Sequence, residues 1–236
     1  MVKLHLKRHS MPASWPVKRK NIQFVAKPNA GSYKREYVVP MQVLLRDVLQ
    51  IAHTTKEAKY IVNHEEVKVN GKKVEDAKFP VGIFDVVEIP KTSQKFTILF
   101  NEKGRFRTID VKDSNIYEKV TKKTVLSAKK YQINFMSGHN LLVDEKTFKQ
   151  LNTGDTIIFD FDKKKVSGVL PLKEGNVAYV FDGNYKGKFG VIKSFANYNG
   201  LTRDNVGLEI EGQIQTTAKD YCFVVGTKKE DLKRFD

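Results

Sequence analysis

The sequence holds one cysteine among 236 residues and one tryptophan. It has no run of about 18 apolar residues, the length a membrane-spanning helix needs. Cys222 alone cannot form an internal disulfide. Within Tyr221-Cys222-Phe223-Val224-Val225 it reads as a buried structural residue rather than a nucleophile. The first ten residues, MVKLHLKRHS, lack the apolar stretch of a signal peptide, so a cytoplasmic protein is expected.

Chemistry is also missing. The glycines of residues 183–190 do not make a phosphate-cradling loop. Gly187-Lys188 is followed by Phe189 rather than Ser or Thr, and no glycine stands five residues before Gly187. No dinucleotide fingerprint follows a strand. His5 and His9 offer two zinc ligands of four, in a segment without Cys or acidic neighbours. His53, His64 and His139 are scattered. The pairs Glu65-Glu66 and Asp144-Glu145 read as turn and helix-start residues, with no partner to separate their pKa values. No catalytic residue, metal site, cofactor or small-molecule substrate is expected.

What is abundant is positive charge. Lys and Arg number 42 against 27 Asp and Glu, a formal net charge of +15. Such a surplus points to a polyanion, nucleic acid first and an anionic membrane surface second. Its distribution sharpens this. Residues 1–40 hold nine basic side chains and one acidic; residues 41–89 hold seven and eight. Residues 90–172 hold sixteen and nine, and residues 173–236 ten and nine. An uneven surplus argues for a directed contact rather than general solubility.

Residues 1–40 carry Pro12, Pro16, Pro28 and Pro40, and no helix or strand period survives between them. Lys3, Lys7, Arg8, Lys18, Arg19, Lys20, Lys27, Lys34 and Arg35 interleave with Trp15, Phe24 and Tyr33. The expectation is an extended basic arm without a core of its own. Its cations would neutralise RNA phosphates while Trp or Tyr stacks on bases.

Residues 41–90 read as a small α+β module. Val43, Leu44, Leu45, Val48, Leu49 and Ile51 recur at helical spacing, with Arg46 and Asp47 turned outward. Thr54, Thr55 and Glu57 cap a second helix whose apolar face includes Ala58, Ile61 and Val62. Asn70-Gly71 between Val67-Lys68-Val69 and Lys72-Lys73-Val74 signals a hairpin, and Asp85–Ile89 a further strand. Two helices followed by this hairpin resemble the RNA-binding module named after the bacterial small-subunit ribosomal protein four. The resemblance implies RNA contacts from Arg46, Lys56, Lys59, Lys68, Lys72 and Lys73.

Residues 91–172 read as a β-rich domain. Lys95–Phe100 and Arg105–Val111 make a hairpin, and 124–135, 140–143 and 156–161 read as single strands. Its basic residues include Lys103, Arg105, Arg107, Lys122, Lys123, Lys129 and Lys130. The run Asp162-Lys163-Lys164-Lys165 reads as a charged turn. Residues 173–236 show short strands at 177–180, 190–192, 206–210 and 221–225. Their first turn, with Gly183, Lys186, Gly187, Lys188 and Gly190, resembles the KOW motif, which opens a small five-stranded β-barrel.

Taken in order, the whole chain resembles the archaeal and eukaryotic small-subunit ribosomal protein S-four-e family. The resemblance is carried by His5–Arg8, Pro12, Ser14-Trp15-Pro16 and Lys18–Lys20, then by Leu44–Leu49, Val69–Lys72 and Phe79–Gly82. It continues through Asp85–Lys91, Lys103–Phe106, Gly154–Thr156 and Phe223–Gly226. It implies a multidomain α+β protein: arm (1–40), RNA-binding module (41–90), β-rich domain (91–172) and KOW-type barrel (173–236). It further implies a non-catalytic ribonucleoprotein component of the translation machinery, one copy per ribosome, contacting small-subunit rRNA and neighbouring ribosomal proteins. The end at Asp236, without a basic tail, fits an archaeal member. A ribosome-visiting translation or transcription factor is the alternative. An rRNA-modifying enzyme would need a catalytic aspartate motif or a methyl-donor glycine loop, and residues 90–172 contain neither.

Overall fold

The alternating segments pair as antiparallel sheets in the computed structural model, which describes residues 5–20, 22–31, 33–111, 115–126, 130–160, 165–196, 204–228 and 231. The chain forms two compact units, Met1–Ile116 and Tyr117–Asp236.

The first unit begins with a two-stranded ribbon, β1 (Leu6–Lys7) against β2 (Phe24–Val25). A third short strand, β3 (Val38–Pro40), leads into α1 (Met41–Val43). Helical spacing from Val43 onward holds only in part. Residues Leu44–Val48 form a widened π-helical turn, in which Leu49 N–H donates to the Leu44 carbonyl at 2.9 Å. Widening keeps Val43, Leu44 and Leu45 wholly buried together. The second helix, α2 (Thr55–His64), starts with reciprocal caps. Thr54 Oγ1 accepts from Glu57 N–H at 3.2 Å, and Glu57 Oε2 accepts from His53 N–H at 2.8 Å. The bond from His53 N–H, followed by one that Thr54 Oγ1 donates to Glu57 Oε1 at 3.0 Å, holds the Glu57 carboxyl below its ordinary range. Ala58, Ile61 and Val62 face the core.

Next come β4 (Lys68–Val69), β5 (Lys72–Lys73), β6 (Pro80–Gly82) and β7 (Val86–Ile89), then β8 (Gln94–Phe100) and β9 (Phe106–Asp110). Asn70 and Gly71 turn the first hairpin at φ 50° and 72°, the left-handed pair such a turn requires. β3 pairs with β6, and the remaining strands form a sheet in the order β5-β4-β7-β8-β9. The boundary expected at residue 90 therefore falls inside a sheet, because Val86–Ile89 bonds along Gln94–Thr97.

The second unit contains two five-stranded sheets. One, ordered β12-β11-β10-β13-β14, uses β10 (Asn115–Leu126), β11 (Lys130–Phe135), β12 (Asn140–Val143), β13 (Thr156–Asp160) and β14 (Lys165–Leu170). The segment 124–135, expected as one strand, is split between β10 and β11, which fold back on each other from Leu126↔Lys130 to Val120↔Phe135. A continuous strand would have left Ile133 and Phe135 far from Val120, with which they share a core. Helix α3 (Glu145–Gln150) and Leu151 lie beside β11, and Phe148 packs against that core.

The other sheet, ordered β18-β17-β16-β15-β19, uses β15 (Val177–Val180), β16 (Phe189–Ala196), β17 (Asn205–Ile210), β18 (Gln213–Ala218) and β19 (Cys222–Gly226). Its core joins Ala178, Val180, Ile192, Val206, Leu208, Cys222 and Val224. Strand β18 had no signature in the sequence. Four of its six residues, QIQTTA, are polar, and the strand pairs with all of β17. The expected charged turn at 162–165 and Lys129 lie outside the residues whose side chains are described.

Candidate nucleic-acid interface

The expected arm is not without a core. Leu6, Met11, Trp15 and Val17 are all buried within the first unit. Trp15 is 2% exposed, and its Nε1–H donates to the Val38 carbonyl at 2.9 Å. Ser14 Oγ donates to the Glu36 carbonyl, and the Ser14 carbonyl accepts from Phe106 N–H at 2.9 Å. The reading of Trp15 as a base-stacking side chain is thus corrected, since both ring faces and the N–H are used in packing. Tyr33 is also committed, because a Cβ at Gly82 would stand 2.3 Å from its ring. Its hydroxyl donates to the Ile83 carbonyl at 3.4 Å.

The expected cations differ in exposure. Lys7, Lys18, Arg19, Lys20, Lys34, Arg35, Lys72, Lys73 and Arg105 are exposed in the first unit. Lys73 lies 3.6 Å from Glu75, an exposed pair that holds it only weakly. Lys27, Lys68 and Arg107 are half-buried. Lys3 lies outside the described residues.

Two arginines are spent or hidden. Arg46 Nε and Nη2 donate to Asp47 Oδ2 at 3.1 and 2.7 Å, and Nη1 donates to Thr55 Oγ1 at 3.0 Å. The residue read as turned outward for RNA is a fork closed on its own module. Arg8 is 7% exposed, and its Nε and Nη1 have no hydrogen-bond partner. A guanidinium in that position is buried by the packing of its segment and cannot lie along a phosphate chain without displacement.

Buried polar groups fix the hairpin that presents Lys68, Lys72 and Lys73. Asn70 Nδ2 donates to Asp85 Oδ1 at 2.8 Å, and Asn70 Oδ1 accepts from Val86 N–H at 2.9 Å. Asp85 Oδ2 accepts from Gly82 N–H at 2.6 Å. One Asn–Asp pair therefore ties the turn to two other strands.

In the second unit, the turn before β16 holds Gly183 and Gly187 at φ 84° and 88°. Lys186 and Lys188 on it are half-buried, and Lys188 Nζ pairs with Glu211 Oε1 at 2.8 Å. Gly190 permits β17 to come close: a Cβ there would stand 2.9 Å from Ile210 and 3.1 Å from the Glu209 carbonyl. Lys123 Nζ is likewise occupied, donating to the Leu151 carbonyl at 2.6 Å above the Phe148 ring.

Sequence reasoning missed Lys119, which is 6% exposed. Its Nζ donates to the carbonyls of Asp220 and Cys222, both at 2.7 Å, and lies 5.5 Å from the Phe181 ring centroid. Burial pushes its pKa down to about 8, and burial pushes the Cys222 thiol up to about 11. Nothing in the local sequence marks this lysine, because β10 is covered on both faces from Ile116 to Val120.

One cluster brings Ser, His and Glu together. Ser137 Oγ donates to Glu118 Oε2, and His139 Nδ1 meets Glu118 Oε1 at 2.9 Å. Ser137 Oγ also lies 3.2 Å from His139 Nδ1, but that nitrogen faces the Glu118 carboxylate, so the three side chains tie a turn rather than line up as nucleophile, base and orienting acid. Among the described residues no group of three or more His, Cys, Asp or Glu could hold a metal ion. No helix among them is long and apolar enough to cross a membrane.

The fold agrees with what this chain resembles. Residues 42–87 match the S4 domain and residues 92–166 match Ribosomal family S4e. The chain is 38% identical over 237 residues to the small ribosomal subunit protein eS4 of Archaeoglobus fulgidus, covering 100% of this chain and 99% of the relative. It is 32% identical over 223 residues to that of Nanoarchaeum equitans, with 93% and 94% covered. In fold it is similar to the crystal structure of the 30S ribosomal protein S4e from Thermoplasma acidophilum. The TM-score is 0.69 at 24% identity, over 82% of this chain and 97% of that one. A mostly β chain with an S4 domain and full-length relatives above 30% identity belongs to the family of the small ribosomal subunit protein eS4.

Proposed function

We propose that this chain is a structural, non-catalytic component of the small subunit of the cytoplasmic ribosome. It binds rRNA and packs beside other ribosomal proteins, one copy per ribosome. The observation that carries this reading is the collinear match to eS4 relatives along the full chain.

The physical account is multivalent. Exposed cations lie on the N-terminal segment (Lys7, Lys18, Arg19, Lys20, Lys34, Arg35), on the S4 hairpin (Lys72, Lys73) and on the next loop (Arg105). Each phosphate contact is weak at cellular salt. Linking several raises affinity through effective concentration. Phosphate contacts position the protein, and RNA shape and single-stranded elements supply selectivity. The sheet β15–β19 and its glycine turn are a KOW-type barrel in this reading. Its turn contributes less to RNA binding than the first unit does, because Lys186 and Lys188 are half-buried whereas most of the first unit's expected cations are exposed.

A salt titration tests this. Affinity for small-subunit rRNA is expected to fall linearly on a log–log plot, with a slope of about −0.7 to −0.9 for each phosphate neutralised. Binding without salt dependence would overturn the electrostatic account.

A further inference from the structure

The packing of Trp15 and Tyr33 leaves another aromatic on the surface. Phe24 is 45% exposed on β2. The ring of His5 meets it edge-on, with centroids 5.2 Å apart and planes at 80°. Two residues earlier in the chain, Ile22 is 63% exposed. Exposed apolar side chains this close in sequence mark a candidate contact surface when the chemistry around them fits a partner.

The ribbon that carries Phe24 is held from beneath. Leu6, opposite Val25, is 5% exposed, and Arg8 N–H donates to the Gln23 carbonyl at 2.9 Å. Phe24 therefore sits on an anchored strand. Its register partner is Lys7, exposed on the same ribbon. Lys18, Arg19 and Lys20 are exposed on the loop between β1 and β2. No acidic residue occurs before Glu36. An exposed aromatic beside Lys7, on a cation-rich stretch without an acidic residue before Glu36, suits a polyanion that also offers flat apolar faces.

We propose that Phe24, braced by His5, is a stacking platform for an unpaired base of single-stranded RNA, with Lys7 and the Lys18–Lys20 cations on the flanking phosphates. The inference rests on the RNA-binding reading above and adds a base-contacting residue to it. Stacking needs an unpaired base, whereas phosphate contacts serve duplex and single strand alike. The two contributions separate by salt: the phosphate part falls with salt and the stacking part does not.

The test uses the full chain, a short oligouridine and an RNA duplex of equal length. Phe24→Ala is expected to weaken oligouridine binding by about tenfold or more. Its salt slope should match wild type, and duplex binding should barely change. Lys7→Ala should lower the slope on both RNAs. Phe24→Trp should retain oligouridine affinity, and its indole fluorescence should be quenched on binding, while the buried Trp15 serves as a constant background. Wild-type affinity in Phe24→Ala, or no quenching in Phe24→Trp, overturns the stacking platform while leaving the RNA-binding reading intact. Failure of the wild-type chain to bind either RNA overturns both. If Phe24→Ala loses retention on small subunits but keeps RNA affinity, the patch meets a protein and the proposal is wrong.

Discussion

Trp15 Nε1 donates a hydrogen bond to the Val38 carbonyl at 2.9 Å, fastening the basic N-terminal segment to the strand that leads into the S4 domain. The segment is part of the first unit's core and also carries its densest cations. Replacing Trp15 by Leu is expected to cost about 3 kcal/mol through lost volume and the lost hydrogen bond. Chemical denaturation measures this. The variant that remains folded should bind RNA with wild-type affinity and salt slope. A stable variant with impaired RNA binding would return Trp15 to a stacking role.

Asn70→Ala removes the partner of a buried carboxylate. Asp85 is 5% exposed, and Asn70 supplies one of its hydrogen bonds as well as accepting from Val86. A loss of about 2–3 kcal/mol is expected. Asn70→Gly, which suits the turn's φ of 50° but cannot bind Asp85, should lose nearly as much. Recovery of full stability in Asn70→Gly would show that backbone conformation, and not the Asp85 pair, is what the asparagine supplies.

Lys119 and Cys222 give the second unit a pH signature. Lys119 titrates near 8 in the folded protein against 10.5 when solvated. Between those values the unfolded chain binds a proton that the folded one does not, so stability rises with pH. The full range is worth roughly 3 kcal/mol. Cys222 titrates near 11 against 9.0, and its contribution falls over that interval. Wild type should therefore gain stability from about pH 8 to about pH 9, and the two trends should oppose each other above that. Denaturation midpoints compared at each pH isolate the effect. Relative to wild type, Lys119→Met should lack the rise and Cys222→Ala the later fall. Parallel profiles for wild type and Lys119→Met would contradict the account.

The sequence showed elements with strong local signatures. The Asn70-Gly71 hairpin, the Thr54 and Glu57 cap and the strands near 177, 206 and 222 needed only short-range patterns, and each formed. What long-range packing decides was not legible. The segment 124–135 alternates well enough for one strand, and only pairing of Val125 with Tyr131 shows that the chain reverses. The mostly polar β18 pairs with all of β17. Lys119 looked like any surface lysine because burial of both faces of β10 depends on distant carbonyls. For the proposed interface, charge density marks the basic segment. It could not tell which aromatic faces outward, since Trp15 and Phe24 differ in tertiary contacts and not in their basic surroundings.

Exposed cations and committed ones should behave differently. Changing Lys18, Arg19 and Lys20 together to Gln should reduce the magnitude of the salt slope by about 2–3 on rRNA. Stability should hardly move, because all three are exposed. Arg46→Gln should do the reverse, since its guanidinium is held by Asp47 and Thr55. A slope change from Arg46→Gln equal to that of an exposed lysine would contradict the division.

Sedimentation of small subunits through a salt wash tests the central claim most directly. The chain is expected to remain on purified subunits at one copy each after a wash that removes transient factors, and to leave only when the rRNA itself is unfolded or digested. A substoichiometric protein that leaves in the wash would contradict a structural role and mark it as a visiting factor.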